Sequence, residues 1–336
     1  MTFSNENLRD YLVNKKILIT GGAGFIGSNI TSALSQYNCH TYILDNFNKN
    51  YGGNKYNFTG ISAEKYSIIE DSVLNISKYE DLIKKTDCII HLAAQVSYID
   101  SLNYPDDDYD LTAKSTLNLL ELLRKHNLKP KILFSSSRMV LGKSQYSPID
   151  ENHPTNPLTI YGVHKLTSEK YLEIYGREFG IPYTIFRITN PYGIKQQVKH
   201  SKYSLVGWFI RQAIEGKTIK IFGEGEQKRD YIYIDDVVNA FVKAITNEKV
   251  SFQRYNLGRG NSEKFSDMVK KIVSIVPGSK YEFNEWPSNY EKIETGDLEI
   301  DISKITNDLS WEAKVTLDEG IRKTYNYFKD NMKYYI

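Results

Sequence analysis

The sequence predicts an α/β protein: a doubly wound parallel sheet joined to a smaller mixed α/β lobe in the C-terminal part. Three observations lead there. Short apolar runs of strand length alternate with helical periodicity from Lys16 to Ile188, the rhythm of βαβ units. The first run feeds a glycine-rich turn that opens a helix. After Asn190 the alternation gives way to mixed segments with turns at Gly223-Glu224-Gly225 and Gly258-Arg259-Gly260. A chain of 336 residues can fill one large α/β domain or two intimate lobes.

Residues 5–15 are expected to form a short polar helix. Lys16 to Thr20 is apolar and branched, hence a buried first strand. Gly21 to Gly27 is the glycine turn, and Ser28 to Gln36 has helical periodicity. Thr41 to Asp45 is a second strand that ends in an acid, followed by a loop rich in Asn, Gly and Lys over 46–60. Tyr66 to Ile69 and Cys88 to Leu92 are the third and fourth strands. A long helix covers roughly 106–126, where Asp106-Asp107-Asp108 suits the helix start. Lys131 to Ser135 is the fifth strand, 157–179 a second long helix, and Tyr183 to Ile188 the sixth strand.

Composition narrows the function. At 40% hydrophobic and 25% charged residues the chain is soluble and globular in type. A net charge of +2 argues against a nucleic-acid partner, though it leaves room for a local basic pocket. No apolar run approaches the roughly 18 residues of a membrane span, and Met1 to Lys16 lacks a signal-peptide core, so a cytoplasmic location is expected. Cys39 and Cys88 head apolar runs and are too few for a zinc site; they are expected as buried small hydrophobes. No metal motif is present. His91, at a strand end, is expected to pack, and His200 to lie in a solvated basic loop.

The glycine turn fits two patterns, Gly22-x-Gly24-x-x-Gly27 and Gly21-x-x-Gly24-x-x-Gly27. Either one lets backbone approach a pyrophosphate at a helix N-terminus. Asp45 lies 18 positions after Gly27 (45 − 27), near the spacing for an acid that holds a ribose. A carboxylate there repels a 2′-phosphate and so favours NAD over NADP. Farther on, Tyr161 and Lys165 stand four residues apart on one helical face. An ammonium beside a phenol favours phenolate, lowering a pKa that is ordinarily about 10. That spacing predicts an acid/base pair. Ser135-Ser136-Ser137 closes the fifth strand, at the sheet edge that faces ligand; Ser137 can bond the reacting hydroxyl beside Tyr161.

In order and spacing, these stretches resemble the extended short-chain dehydrogenases/reductases of the nucleotide-sugar epimerase/dehydratase family. So do His91-Leu92-Ala93-Ala94-Gln95, Arg187 to Gly193, Gln227-Lys228-Arg229-Asp230-Tyr231 and Tyr255-Asn256-Leu257-Gly258. The likeness runs from Ile17 to about Tyr327. It implies a Rossmann domain of residues 1–188 and about 231–257, and a nucleotide-sugar lobe of 189–230 and about 258–336. It implies NAD held by Gly21, Gly24, Phe25, Ile26, Gly27, Asp45, Asn46, Ser72, Val73, Leu92, Ala93, Ala94, Tyr161 and Lys165. Ser137, Tyr161 and Lys165 are the implied catalytic residues. Ser137, Asn190, Lys220, Phe222, Arg229 and Tyr231 are the implied contacts to a nucleotide-diphosphate sugar. Arg229 suits a phosphate; a structural ion pair with Asp230 or Asp235 is the competing role. A homodimer through a four-helix bundle of the two long helices is also implied.

The chain departs from the family at Ser72 (usually aspartate), Thr112 (asparagine), Ser115 (glycine), Leu141 (tyrosine) and His164 (serine or alanine). Glu294 falls near the place of a second phosphate-binding arginine, with Lys292 as a substitute. After Ser137 come Arg138 and Met139, where dehydratases and decarboxylases of this family carry an acid; no dehydration is expected. What remains is reversible oxidation of one sugar carbon, with UDP-glucose 4-epimerase-like activity in front. Leu205-Val206-Gly207-Trp208-Phe209 is similar to a segment of CDP-tyvelose 2-epimerases, which implies a CDP-sugar and C2 instead. A nucleotide-sugar 4-ketoreductase would also use these residues, although Asp45 disfavours its NADPH. A non-catalytic NAD-binding regulator would keep the glycine turn without needing Ser137, Tyr161 and Lys165 together.

Overall fold

The computed structural model describes residues 5–48, 51–285 and 296–336. Twelve strands run in chain order: β1 Lys16–Thr20, β2 His40–Asp45, β3 Tyr66–Glu70, β4 Cys88–His91, β5 Lys131–Ser137, β6 Tyr183–Ile188, β7 Asn190–Tyr192, β8 Thr218–Phe222, β9 Lys228–Tyr233, β10 Gln253–Leu257, β11 Ser262–Lys264 and β12 Lys280–Asn284. Seven of them form one sheet in the order β10-β6-β5-β4-β1-β2-β3, and each neighbouring pair is parallel. The chain steps outward from β1 to β3, then returns to lay β4 beside β1. That reversal makes a crevice at the carboxyl ends of β1 and β4.

Alternation along the strands builds both layers. Ile17, Ile19, Ile90 and Leu133 face one buried cluster, while Leu18, Ile89, Ile132 and Phe134 face the other. A strand covered on both faces reads as an unbroken apolar run, which is why these segments were recognisable. The helix Phe25–Leu34 starts three residues before its periodicity does, because Gly24 is its N-cap and offers no side chain. β5 continues through Ser137, so the serine triplet ends the strand itself.

The first long helix is not continuous α-helix. Pro105–Tyr109 and Ser115–Lys125 are joined by a π-turn at Asp110–Lys114. Around it, the Thr112 carbonyl accepts from Thr116 Oγ1 at 2.7 Å, Ser168 Oγ at 3.1 Å and Ser115 Oγ at 3.3 Å. Hydroxyls bonding back to this carbonyl accompany a widened turn. Apolar periodicity cannot reveal a π-turn. The second long helix, Ile160–Phe179, begins where the Thr159 side chain accepts from the Gly162 amide and ends at left-handed Gly180.

One residue beyond β6, β7 enters the smaller lobe. There β7 pairs with β9 in parallel and β9 with β11 antiparallel; β8 pairs with β12. Helices Leu205–Ile214, Phe265–Ile275 and Leu317–Asn331 close over them. Cys39 and Cys88 are buried free thiols. No helix among the described residues is long and apolar enough to cross a membrane.

Candidate active site

A cavity of about 690 Å³ opens at the carboxyl edge of the sheet, between sheet and lobe. The glycine turn forms one wall. Gly21, Gly24 and Gly27 line the cavity and Gly22 does not, so the second of the two glycine patterns is the one that faces it. Gly21 has φ +68°, and a Cβ there would lie 2.8 Å from the Ala93 nitrogen. A Cβ on Gly27 would lie 2.6 Å from the Gly22 α-carbon. The result is a cradle of bare backbone at a helix N-terminus, which fits the pyrophosphate of a dinucleotide. Phe25 and Ile26 line it as well.

Asp45 ends β2 in the same wall. Its carboxylate accepts from the Ala23 amide at 2.9 Å and the Phe47 amide at 2.8 Å. Burial pushes its pKa up, and those two amides oppose the shift. Asn46, Val73, Leu92, Ala93 and Ala94 also line the cavity. Ser72 is not among the lining residues. Its hydroxyl accepts from the Leu74 amide at 3.3 Å and caps a 3₁₀ turn, so the segment presents Val73 to the cavity. His91 is enclosed, as expected. Its ring joins Thr20 Oγ1 at 2.8 Å to Thr116 Oγ1 at 3.1 Å, and burial draws its pKa down to about 3.

Ser137, Tyr161 and Lys165 meet in this cavity. The Ser137 hydroxyl accepts from the Met139 amide at 3.2 Å and is hydrogen-bonded to the Tyr161 phenol. Ser101 Oγ accepts from the Tyr161 amide at 3.1 Å, fixing the start of the helix. Lys165 is buried, and its Nζ donates to the Ser135 carbonyl at 2.7 Å. It lies 5.9 Å from the centre of the Tyr161 ring and 5.0 Å from that of Phe134.

The electrostatics differ from what the four-residue spacing suggested. Burial pushes the Tyr161 phenol well above its ordinary range. The Ser137 hydrogen bond opposes that, Asp108 adds to it, and the Arg138 guanidinium opposes it. Desolvation therefore dominates in the protein alone. Asp108 is fully buried, and its Oδ2 lies 2.5 Å from His164 Nδ1; the unusual histidine thus has a partner on the neighbouring helix.

Lys165 leads to a testable sign. Burial draws its ammonium down to about 8, against the pull of Asp108 and Glu169. A lysine in the unfolded chain keeps its proton to about pH 10.4. Between those values the unfolded chain binds more protons, so this group's contribution to stability rises with pH; below pH 8 its cost is present in full. Lys165→Met is expected to be inactive, yet more stable at pH 7 by on the order of 1–3 kcal/mol. That gain should shrink as pH rises from 8 to 10, read by urea unfolding at pH 7 and 9.5. A variant less stable than the parent at pH 7 would mean that the bond to Ser135 outweighs the buried charge.

The lobe supplies the other wall. Asn190, Lys220, Phe222, Arg229 and Tyr231 all line the cavity. Asn190 Nδ2 donates to the Asp230 carbonyl at 2.8 Å. Arg229 Nη1 donates to the carbonyls of Lys228 and Gly296, both at 2.8 Å. The ion pairs considered for Arg229 are not what holds its neighbours. The Asp230 carboxylate accepts from Thr189 Oγ1 and the amides of Arg259 and Gly260, and Asp235 pairs with Lys323 at 3.3 Å. Sequence reasoning left out Gln196, Gln197, Tyr203 and Trp208, which complete the wall. Gln196, Gln197 and Tyr203 come from a loop with no periodicity and Trp208 from the helix Leu205–Ile214 that follows it; the one signal was the Leu205–Phe209 likeness. Glu294 and Lys292 lie outside the described residues. Leu141 packs with Val140, Ile149 and Ile300 in a separate cluster.

Comparison with known proteins gives this geometry its context. Residues 17–258 match the model of the NAD dependent epimerase/dehydratase family. A putative UDP-glucose 4-epimerase of Methanocaldococcus jannaschii is 35% identical, over 94% of this chain and 99% of its own length. A CDP-paratose 2-epimerase of Salmonella typhi is 28% identical, over 93% and 98%. The solved UDP-glucose 4-epimerase of Thermotoga maritima, in complex with UDP-glucose, superposes with a TM-score of 0.85 at 30% identity, covering 94% of this chain and 99% of that one. Family model and relatives span both walls of the cavity, and the chain belongs to the NAD dependent epimerase/dehydratase family.

Proposed function

We propose that the protein is an epimerase of a nucleotide-diphosphate sugar, with UDP-glucose 4-epimerase-like inversion at C4 as the leading assignment. The observation that carries it is the convergence, in one cavity, of a glycine cradle, the bonded Ser137–Tyr161 pair over Lys165, and Arg229 on the opposite wall. The named activities of the Methanocaldococcus and Thermotoga relatives support the same substrate class. The backbone of Gly21 to Gly27 would hold the pyrophosphate of NAD, Asp45 and Asn46 its adenosine ribose, and Lys165 with Tyr161 its other ribose. When bound, NAD supplies a reversible hydride acceptor and a positive ring.

The protein's own work is proton transfer and orientation. Tyr161 takes the proton from the sugar hydroxyl at the oxidised carbon and gives it back after the ketone has turned over. Ser137 orients that hydroxyl through the hydrogen bond it already makes to the phenol. Arg229 anchors the diphosphate, so that the sugar can rotate while the nucleotide stays. Lys220 and Phe222 flank the base. Dehydration is disfavoured because, among the described residues lining the cavity, the one carboxylate is Asp45 at the glycine end. Among the described residues that line the cavity, no acid adjoins Ser137 to remove a second proton.

A second reading has a specific observation behind it. Leu205, Val206, Trp208 and Phe209 line the cavity, and a CDP-paratose 2-epimerase is among the relatives; both support a CDP-sugar inverted at C2. NMR of products from UDP-, CDP-, dTDP- and GDP-sugars with NAD separates the two. Formation of no epimer from the panel would refute both.

The division into a cofactor domain (1–188 and about 231–257) and a substrate lobe (the remainder) accords with β10 lying in the main sheet. For a homodimer, Tyr109 on the first long helix and Val163 and Ile174 on one side of the second leave apolar area exposed, which a four-helix bundle would cover. Sedimentation velocity reads this directly, and a monomer at micromolar concentration would exclude it. A cytoplasmic workplace suits a substrate of this kind.

A further inference from the structure

The glycine turn is held from the far side of the molecule. Ala23 sits in the middle of that turn and is fully buried. Its amide donates to Asp45 Oδ2. Its carbonyl accepts twice, from the Asn54 amide at 3.1 Å and from Asn57 Nδ2 at 2.9 Å. A peptide unit is planar, so holding the Ala23 carbonyl sets the plane that leads into Gly24, the N-cap of the helix Phe25–Leu34. The direction of the cradle's backbone follows from that plane.

Asn57 is itself fully buried. A carbonyl can only accept, so the Asn57 side-chain nitrogen must face Ala23. Its oxygen is left to accept from the Tyr335 hydroxyl at 2.7 Å. Tyr335 follows the 3₁₀ turn Met332–Tyr334, beyond the lobe helix Leu317–Asn331. Its proton is committed to Asn57, so the Tyr327 hydroxyl bonded to it is the donor in that contact. The same two segments meet at further points. Asn54 Nδ2 donates to the Tyr334 carbonyl at 2.7 Å, and the Tyr56 hydroxyl donates to Asn331 Oδ1 at 2.6 Å. Tyr56 stacks on Tyr334 with ring centres 3.6 Å apart, and Tyr335 packs with Phe328 and Val198. Neither Asn57 nor Tyr335 lines the cavity, and the chemistry above uses neither. Apolar packing alone would hold the two segments together. A buried, fully bonded polar path also fixes orientation, and this one ends on the glycine turn.

We propose that Tyr335 and Asn57 are positioning residues for the cofactor, a relay by which the smaller lobe fixes the Ala23–Gly24 peptide. The cradle for the NAD pyrophosphate and the Asp45 carboxylate are then set before the cofactor arrives, which lowers the cost of ordering them on binding. The relay acts on NAD whichever sugar is bound and whichever carbon is inverted.

The test is the rate at which the full chain releases labelled NAD when chased with excess unlabelled NAD. It is run at a temperature at which circular dichroism shows every variant folded, beside thermal unfolding of the same proteins without NAD. Tyr335→Phe removes the hydroxyl and keeps the ring; it is expected to speed release about 3- to 30-fold, and Asn57→Ala at least as much. Tyr56→Phe removes a bond of similar length between the same two segments without touching the path to Ala23. It is expected to lower the unfolding midpoint and leave NAD release unchanged. Release as slow as the parent's from Tyr335→Phe overturns the relay, even if Asn57→Ala is fast. Equal acceleration in all three variants overturns it too, since general packing of lobe on loop would then set the cradle. A parent that binds no NAD removes the cofactor site and the relay with it, a result separate from any failure to find an epimer.

Discussion

Tyr161→Phe is expected to lower turnover by about 10²- to 10⁴-fold, the range for loss of a positioned acid/base, with NAD binding close to that of the parent. Phenylalanine keeps the ring where it stands and removes only the hydroxyl. The phenol faces the cavity, bonded to Ser137, and burial holds it protonated in the protein alone. The groups that can shift it toward phenolate are therefore Ser137, Arg138 and the cations that approach it when the site is filled. A proton acceptor this dependent on its surroundings should show its pKa in the complex. The acid limb of the kcat profile should accordingly fall well below the pKa of the free protein's phenol, and Tyr161→Phe should abolish that limb. Single-turnover rates and equilibrium dialysis with NAD check the two halves separately. Unchanged turnover would remove Tyr161 from the chemistry.

What the sequence made legible follows from physics that is local. β1, β4 and β6 are buried on both faces, so their apolar runs announce them. The glycine turn is legible because Gly21 and Gly27 have no space for a side chain. Asp45, Ser137 and Tyr161 sit at element ends and Lys165 one turn into its helix, where spacing along the chain translates directly into position in the cavity. Other features are set by contacts between distant segments, and spacing cannot carry them. Lys165 was expected to act on Tyr161, but its nearest partner is a carbonyl thirty residues away on β5. Ser72 was expected among the residues that hold NAD; in the structure its hydroxyl caps its own turn. The π-turn at Asp110–Lys114 and the pairing of Asp108 with His164 likewise depend on how two helices meet. Arg138 was read for what it lacks, an acid; its tie to Asn190 emerges only when β5 and β7 are brought together.

The same distinction gives the largest expected stability effect, one turn below Lys165. Glu169 and Arg187 are both fully buried and paired at 2.7 Å, joining the catalytic helix to β6. Arg187 Nε also reaches Glu169 Oε1 at 3.0 Å, and that same oxygen accepts from Ser136 Oγ at 2.5 Å. The pair therefore fixes the end of β5 from beneath, next to Ser137. Glu169→Gln leaves a guanidinium buried without its counter-charge, and Nη1 already has no partner among the described residues. The expected loss is about 3–5 kcal/mol in urea unfolding. The net worth of an intact buried pair is much smaller, since two desolvated charges cost nearly what their attraction returns. Glu169→Leu combined with Arg187→Met should thus recover most of the stability lost by either change alone. Activity should not recover in step: Glu169 is one of the carboxylates that hold the Lys165 ammonium charged, and the double variant lacks it. If the double variant is as unstable as Glu169→Gln, packing rather than charge governs this layer. If it regains both stability and turnover, the pair has no part in positioning Lys165.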